Sequence, residues 1–189
     1  MKKSLSLNII QENVKTCTKC DLCDTRINAV PGKGDQKADV VFIGEAPGKN
    51  EDLHGEPFIG TAGKILDDAL ENAGVARNSV YITNIVKCRP PNNRVPNDIE
   101  KSMCSNYLEN ELTIINPKII CLLGNTSYYS ILGGKEISKN HGKIISKGDR
   151  MYFITFHPAA TIYNQKLGDV FKNDIKKLMN ELQKIKHAD

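Results

Sequence analysis

The sequence has no run approaching the roughly 20 consecutive apolar residues that a membrane-spanning helix needs, so no membrane partner is expected. Internal repeats, low-complexity segments and an interdomain linker are missing too, which excludes a fibrous repeat. Residues 1–10 carry positive charge, but their apolar stretch is broken and no clear cleavage site follows. A secretory signal is therefore not expected, and a cytoplasmic location is. Arginine is scarce: 5 of the 26 basic residues, the other 21 being lysine. Lysine contacts phosphate as a point charge, with less geometric specificity than arginine. No basic tail or dense basic block occurs, so any nucleic-acid surface must be assembled by folding.

What is present is the composition of an ordinary folded domain. The 189 residues are 40% apolar and 25% charged, which fits a soluble globular chain rather than a disordered one. One domain, 1–189, is expected, and a chain of this size buries roughly 70% of its unfolded surface without needing disulfides. With 26 basic and 22 acidic residues the net charge is +4. That charge suits a lysine-rich solvated surface, and equally a polyanionic partner such as nucleic acid. A monomer is the default, since no coiled-coil pattern stands out.

Hydrophobic patterning alternates strand and helix. Residues 39–43 hold four consecutive apolar side chains ending at Gly44 and read as a strand buried on both faces. Residues 80–86, 118–123 and 150–156 supply three further strands, with a hairpin or edge piece at 143–150. Helical spacing predicts helices over 4–16, 61–73, 97–115, 125–132 and 168–186. Gly74 closes the second of these, while Asn97 and Glu100 open the third as a capping box. The order predicts a three-layer α/β/α sandwich on a mainly parallel four-stranded sheet. Ligands bind at the carboxyl edge of such sheets, and the unusual polar residues cluster after strands one, two and four.

Six cysteines stand at 17, 20, 23, 88, 104 and 121. Without a secretion signal they make a poor disulfide framework. Cys17 and Cys20, with Cys88 and Cys104, form two thiol pairs that suit zinc or a [4Fe-4S] cluster, and spacing does not choose between them. Cys23 imitates the start of a ferredoxin motif whose remaining ligand and proline do not follow. Cys121, in mid-strand, reads as a small buried hydrophobe.

Gly44-Glu45-Ala46-Pro47-Gly48 follows directly on the first strand. It is neither a P-loop nor a dinucleotide fingerprint, because the required endings and spacings fail. Glu45 is placed to orient water if it faces a cleft; Glu51 and Asp52 either help there or, as the simpler reading, are surface charge. Phe58, beside a turn, is either core or a stacking platform for a planar base. Asn84 interrupts an apolar strand and must find partners, either local backbone or a ligand edge. His157, stiffened by Pro158, can act as acid, base or donor to a developing anion, or serve structure. The loop 87–96 is basic and rigid, with Lys87, Arg89 and Arg94 as candidate phosphate contacts.

Taken together, the strings Gly44-Glu45-Ala46-Pro47-Gly48, Gly55-Glu56-Pro57-Phe58-Ile59-Gly60, residues 81–91 and His157-Pro158-Ala159-Ala160 resemble the family 4 uracil-DNA glycosylases. This is the iron-sulfur branch of the uracil-DNA glycosylase superfamily, and the likeness runs from Cys17 to Asn164. It implies that fold and the hydrolytic removal of uracil from DNA, leaving an abasic site for base-excision repair. It also implies a [4Fe-4S] cluster on Cys17, Cys20, Cys88 and Cys104, favoured over zinc, with a structural or DNA-positioning role. Glu45 takes the place of the water-positioning glutamate and His157 that of the late histidine. Phe58 matches the stacking aromatic and Asn84 the uracil-reading asparagine, while Gly44 and Ala46 are implied as substrate-binding residues, Gly44 through a backbone contact to the base. Uracil-containing DNA is the implied partner. Where the family commonly has Pro-Gly-Asn-Arg, this chain reads Pro91-Asn92-Asn93-Arg94, a turn that asparagine's tolerance of left-handed backbone preserves. Tyr163 stands where the family often has arginine, and the basic insertion of the branch that crosslinks to DNA is absent. The competing expectations are a glycosylase of broader deaminated-base range and a non-catalytic cluster protein that binds DNA or assists a polymerase.

Overall fold

The computed structural model describes residues 6–162 and 164–188. Its α-helices are α1 (Leu7–Lys15), α2 (Leu22–Thr25), α3 (Lys49–His54), α4 (Thr61–Asn72), α5 (Asp98–Ile115), α6 (Asn125–Leu132), α7 (Ile137–Asn140) and α8 (Gln165–Ala188). The strands are β1 (Lys33–Gly34), β2 (Val40–Gly44), β3 (Tyr81–Asn84), β4 (Ile119–Leu123), β5 (Lys143–Lys147) and β6 (Arg150–Thr155). They form one sheet in the order β1-β3-β2-β4-β6-β5. The four expected strands are its parallel centre, β3-β2-β4-β6. Two antiparallel edge strands widen it: β1, and the β5 arm of the hairpin expected near residue 143.

The strands are buried on both faces because their apolar residues alternate between two cores. Val41, Ile43, Ile120, Leu122 and Ile154 face α1 and α5, packing with Val14, Leu108 and Leu112. Val40, Phe42, Ile119, Leu123 and Phe153 face the other way, against Leu66 and Leu70 of α4 and Phe171, Ile175 and Leu178 of α8. The layers are therefore helix, sheet, helix. Helix ends follow the capping signals. Asn97 accepts from the Glu100 N–H at 2.9 Å, and Glu100 accepts from the Asn97 N–H at 2.8 Å. At the start of the chain, Ser6 caps α1 through the Ile9 N–H.

Register aligns the carboxyl ends. Gly44 pairs with Asn84, and Leu123 with Thr155. The loops that follow β2, β3, β4 and β6 thus open on one edge of the sheet.

Candidate active site

A cavity of about 220 Å³ opens at that edge, lined by Glu45, Ala46, Phe58, Asn84, Asn93, Arg94 and His157 among others. A wider groove of about 980 Å³ lies between α5, α6 and the β5–β6 turn, but none of the candidate site residues borders it. Gly44 is what lets the smaller cavity close. A Cβ there would overlap Asn84 Oδ1 and come within 2.6 Å of the Phe58 ring. Asn84 itself is 1% exposed. Its Oδ1 is the only buried side-chain nitrogen or oxygen without a hydrogen-bond partner among the described residues. Buried polar atoms are nearly always paired, so an unpaired acceptor at a cavity wall marks a place for a ligand donor.

Phe58 is both core and wall: it is buried with the α4–α8 core and its ring centroid lies 5.7 Å from that of His157. Its backbone is left-handed, with φ 53°, a conformation that costs a non-glycine residue on the order of 1 kcal/mol. The surroundings impose it. Arg77 donates to the Phe58 and Pro57 carbonyls at 2.9 Å each and pairs with Asp67 on α4. Gly63 sits so close to the Phe58 carbonyl that a Cβ would overlap it.

His157 follows β6 and opens the 3-10 turn Pro158–Thr161. Its Nδ1 accepts the Ala159 N–H at 3.2 Å, so the neutral ring carries its proton on Nε2. Burial lowers its pKa to about 4, against a small opposing pull from Glu51. At neutral pH the ring is an uncharged donor. Gly124, with φ 92°, gives it room; a Cβ there would lie 2.8 Å from the His157 Cβ.

Glu45, partly buried, accepts a hydrogen bond from the Thr126 hydroxyl at the start of α6. Thr126 carries no motif signal and the sequence reading missed it. Glu51 and Asp52 are corrected from surface charge to buried groups, 9% and 2% exposed. Glu51 gathers the N–H groups of Gly48, Ile59 and Gly60 at 3.1, 3.0 and 2.7 Å, tying the β2 loop to the Phe58 loop. A glutamate three residues after Gly48 at a helix start was the signal available for it. Asp52 accepts the Ile27 and Asn28 N–H groups and pins the segment after α2.

Of the three proposed phosphate contacts, Lys87 is corrected outright. Its side chain is 1% exposed and ion-paired at 2.7 Å with Glu111 of α5, itself 0% exposed. An ammonium sealed under a helix does not reach a phosphate. Arg89 and Arg94 remain on the loop. Arg89 Nε donates to Asn93 Oδ1 at 2.8 Å, and Arg94 pairs with both Glu100 oxygens with its side chain 45% exposed. Asn92 and Asn93 take φ of 56° and 54°, the left-handed turn expected of asparagine there. Tyr163 lies outside the described residues.

Cys17, Cys20, Cys23, Cys88 and Cys104 border one small cavity between α2, the loop after β3, and α5. Arg26 donates to Cys88 Sγ at 2.9 Å and the Lys87 N–H donates to Cys104 Sγ at 3.4 Å. Burial pushes the Cys88 thiol up to about 11. Among the described residues no three His, Cys, Asp or Glu side chains are placed to hold one metal ion. Zinc needs all its ligands within about 2.3 Å of a single point, whereas a cubane cluster separates its thiolates. Five thiols around one cavity, two with N–H donors to sulfur, are the donor type that a zinc ion or an iron-sulfur cluster takes. Cys121 is fully buried in β4, as expected of a small hydrophobe.

The sequence profile of the Uracil DNA glycosylase superfamily matches residues 31–183. The chain is similar to the type-4 uracil-DNA glycosylase of Sulfurisphaera tokodaii, 46% identical over 92% of this chain and 83% of that one. The type-4 enzyme of Archaeoglobus fulgidus is 43% identical, over 92% of both chains. That of Saccharolobus solfataricus is 44% identical over 94% of this chain and 87% of its own. Each match spans both β2 and His157 and nearly the whole fold, so the chain belongs to the uracil-DNA glycosylase superfamily, in its type-4 family.

Proposed function

We propose that this protein hydrolyses the N-glycosidic bond between uracil and deoxyribose in DNA, releasing the base and leaving an abasic site. The observation that carries this is the buried, unpartnered Asn84 Oδ1 at the wall of a cavity shared with Phe58, His157 and Glu45. Uracil offers an N3–H donor to that oxygen. Cytosine offers a lone pair at the same position, which the oxygen repels. Phe58 supplies a stacking wall for any planar base, so discrimination falls to Asn84.

The base must leave the duplex to reach the cavity. As the C1′–N1 bond breaks, negative charge collects on uracil O2 and positive charge on the sugar. The neutral His157 presents its Nε2–H to the departing anion, a preorganised donor of the kind that contributes roughly 3–4 kcal/mol. Glu45, oriented by Thr126, aligns the water that adds to C1′ and offsets the sugar's charge. Ala46 adds no carboxylate beside it, so Glu45 bears that task. Arg94 borders the cavity and Arg89 lies on the same loop, bonded to Asn93; both contact the phosphates of the flanking strand. Cys17, Cys20, Cys88 and Cys104 would hold a [4Fe-4S] cluster. When bound, it supplies a crosslink between the N-terminal segment and the loop after β3; the hydrolysis itself transfers no electrons.

The test is incubation of the purified, coloured protein with end-labelled DNA bearing one uracil, beside thymine and hypoxanthine controls, followed by alkaline cleavage. A band at uracil alone is expected. Bands at hypoxanthine as well would make it a broader deaminated-base glycosylase. Retention of the DNA with no band would favour the non-catalytic binding protein.

A further inference from the structure

The buried pair Lys87–Glu111 has no part in substrate contact, since neither residue borders the cavity. Its position is nonetheless specific. Lys87 Nζ donates to the Thr83 hydroxyl, to the Asn84 carbonyl at 3.1 Å and to Glu111 Oε2 at 2.7 Å, which uses all three of its protons. Glu111 is saturated in turn: it also accepts from the Gly32 N–H at 3.1 Å, the Thr83 hydroxyl at 2.9 Å and the Tyr81 hydroxyl at 3.4 Å. The edge strand β1 pairs only with Tyr81 and Ile82 of β3. At Asn84 the ladder on that side has ended, and the Asn84 carbonyl takes the ammonium of Lys87 in place of a strand. The Lys87 backbone N–H meanwhile reaches Cys104 on α5.

Stability alone is a weak reason for such a pair. Replacing a buried ion pair with apolar residues of similar volume is often neutral or stabilising. Placement is the better reason. Asn84 reads a base with one oxygen atom, and an error of a few tenths of an ångström in its backbone spoils that contact. We infer that Lys87, with Glu111 as its counter-charge, is the positioning residue of the base-reading amide, gripping the Asn84 backbone from behind the cavity and tying it to the cysteine-bearing helix. This rests on the uracil reading of the site.

The double variant Lys87→Met/Glu111→Leu removes both charges at once and leaves neither stranded. Its single-turnover rate on uracil is expected to fall by about tenfold, the effect of weakening one buried hydrogen bond. Affinity for DNA with a stable abasic analogue should stay within about twofold. The decisive readout is the ratio of rates on uracil and on N3-methyluracil, which lacks the donor that Asn84 Oδ1 reads. Lost positioning lowers the uracil rate selectively, so the ratio falls about fivefold or more; a purely structural pair leaves it unchanged. If the double variant does not fold, Thr83→Val decides, since it deletes only the hydroxyl shared by Lys87 and Glu111. A smaller fall of the same ratio supports the inference, and a wild-type ratio overturns it. An active wild type with an unchanged double variant overturns the inference alone. A wild type that releases no uracil overturns the functional reading and the inference with it.

Discussion

Burial leaves Asn84 with an acceptor that has no partner, and it leaves His157 without its charge. Both are unfavourable for an isolated chain and both suit a ligand that brings a donor and then an anion. Asn84→Ala should lower the single-turnover rate about tenfold to a hundredfold and reduce preference for uracil over cytosine together; a variant with undiminished preference would remove the reading role. His157→Ala should lower the same rate about a hundredfold or more while DNA affinity changes little. The pH profile tests the protonation state. With a folded pKa of about 4, the rate should hold steady from pH 8 to near 5, with its acid limb near 4 rather than 6.5. The sign for stability follows. Unfolding restores the ordinary value near 6.5, so below that pH the unfolded chain binds the extra proton first. The contribution is intact above about 6.5 and is lost as pH falls toward 4. Thermal melts of wild type and His157→Gln at pH 7 and pH 4.5 should therefore diverge, with wild type losing more.

Elements place these residues by ending together. The parallel register brings Gly44 beside Asn84, and each strand hands over to a loop shaped by something specific. After β2, Glu51 of α3 draws three backbone N–H groups into one knot. Before α4, Arg77 and Gly63 force Phe58 into its left-handed turn. Gly63→Ala should displace the Phe58 carbonyl, cost about 1–3 kcal/mol in a denaturant melt and slow uracil release by loosening the wall. Unchanged melting would show that the loop has room to give. After β3, Arg89 and Arg94 stand on a loop whose Asn92 and Asn93 hold left-handed turns. Exchanging both arginines for glutamine should flatten the dependence of binding on salt by about two phosphate contacts. An unchanged salt slope would move the DNA interface elsewhere.

At the scale of the molecule, cysteines from segments far apart in the chain face one cavity. Cys17 and Cys20 precede the first strand, Cys88 follows β3, and Cys104 lies within α5. Outside the cavity they share, α1 meets α5 through core packing and a hydrogen bond from the Tyr107 hydroxyl to the Asn13 carbonyl. A cluster there would couple the start of the chain to the loop that bears the arginines. Cys88→Ala and Cys104→Ala should each reduce folded yield and the visible absorbance of the purified protein; wild-type colour in both would remove them as ligands. Among the described residues no helix is long and apolar enough to cross a membrane.

Much of this protein was legible in its sequence. The four central strands, the helices at 61, 97 and 125, and the Asn97–Glu100 cap all came from local signals, because strand alternation, helical period and capping act over a few residues. Gly44, Glu45, Ala46, Phe58, Asn84 and His157 were legible as motif residues, and the fold does bring all of them but Gly44 to the lining of one cavity. What the sequence alone could not decide was how charge is distributed in space. Lys87 reads as a phosphate contact in a basic loop, yet its partner Glu111 lies 24 residues away on α5. Glu51 and Asp52 read as surface charge, yet folding buries them against backbone N–H groups of other segments. A side chain's type and its neighbours in the chain set its chemistry. Whether that chemistry faces water, a ligand or a counter-charge depends on which distant backbone covers it, and that exists only once the layers have packed.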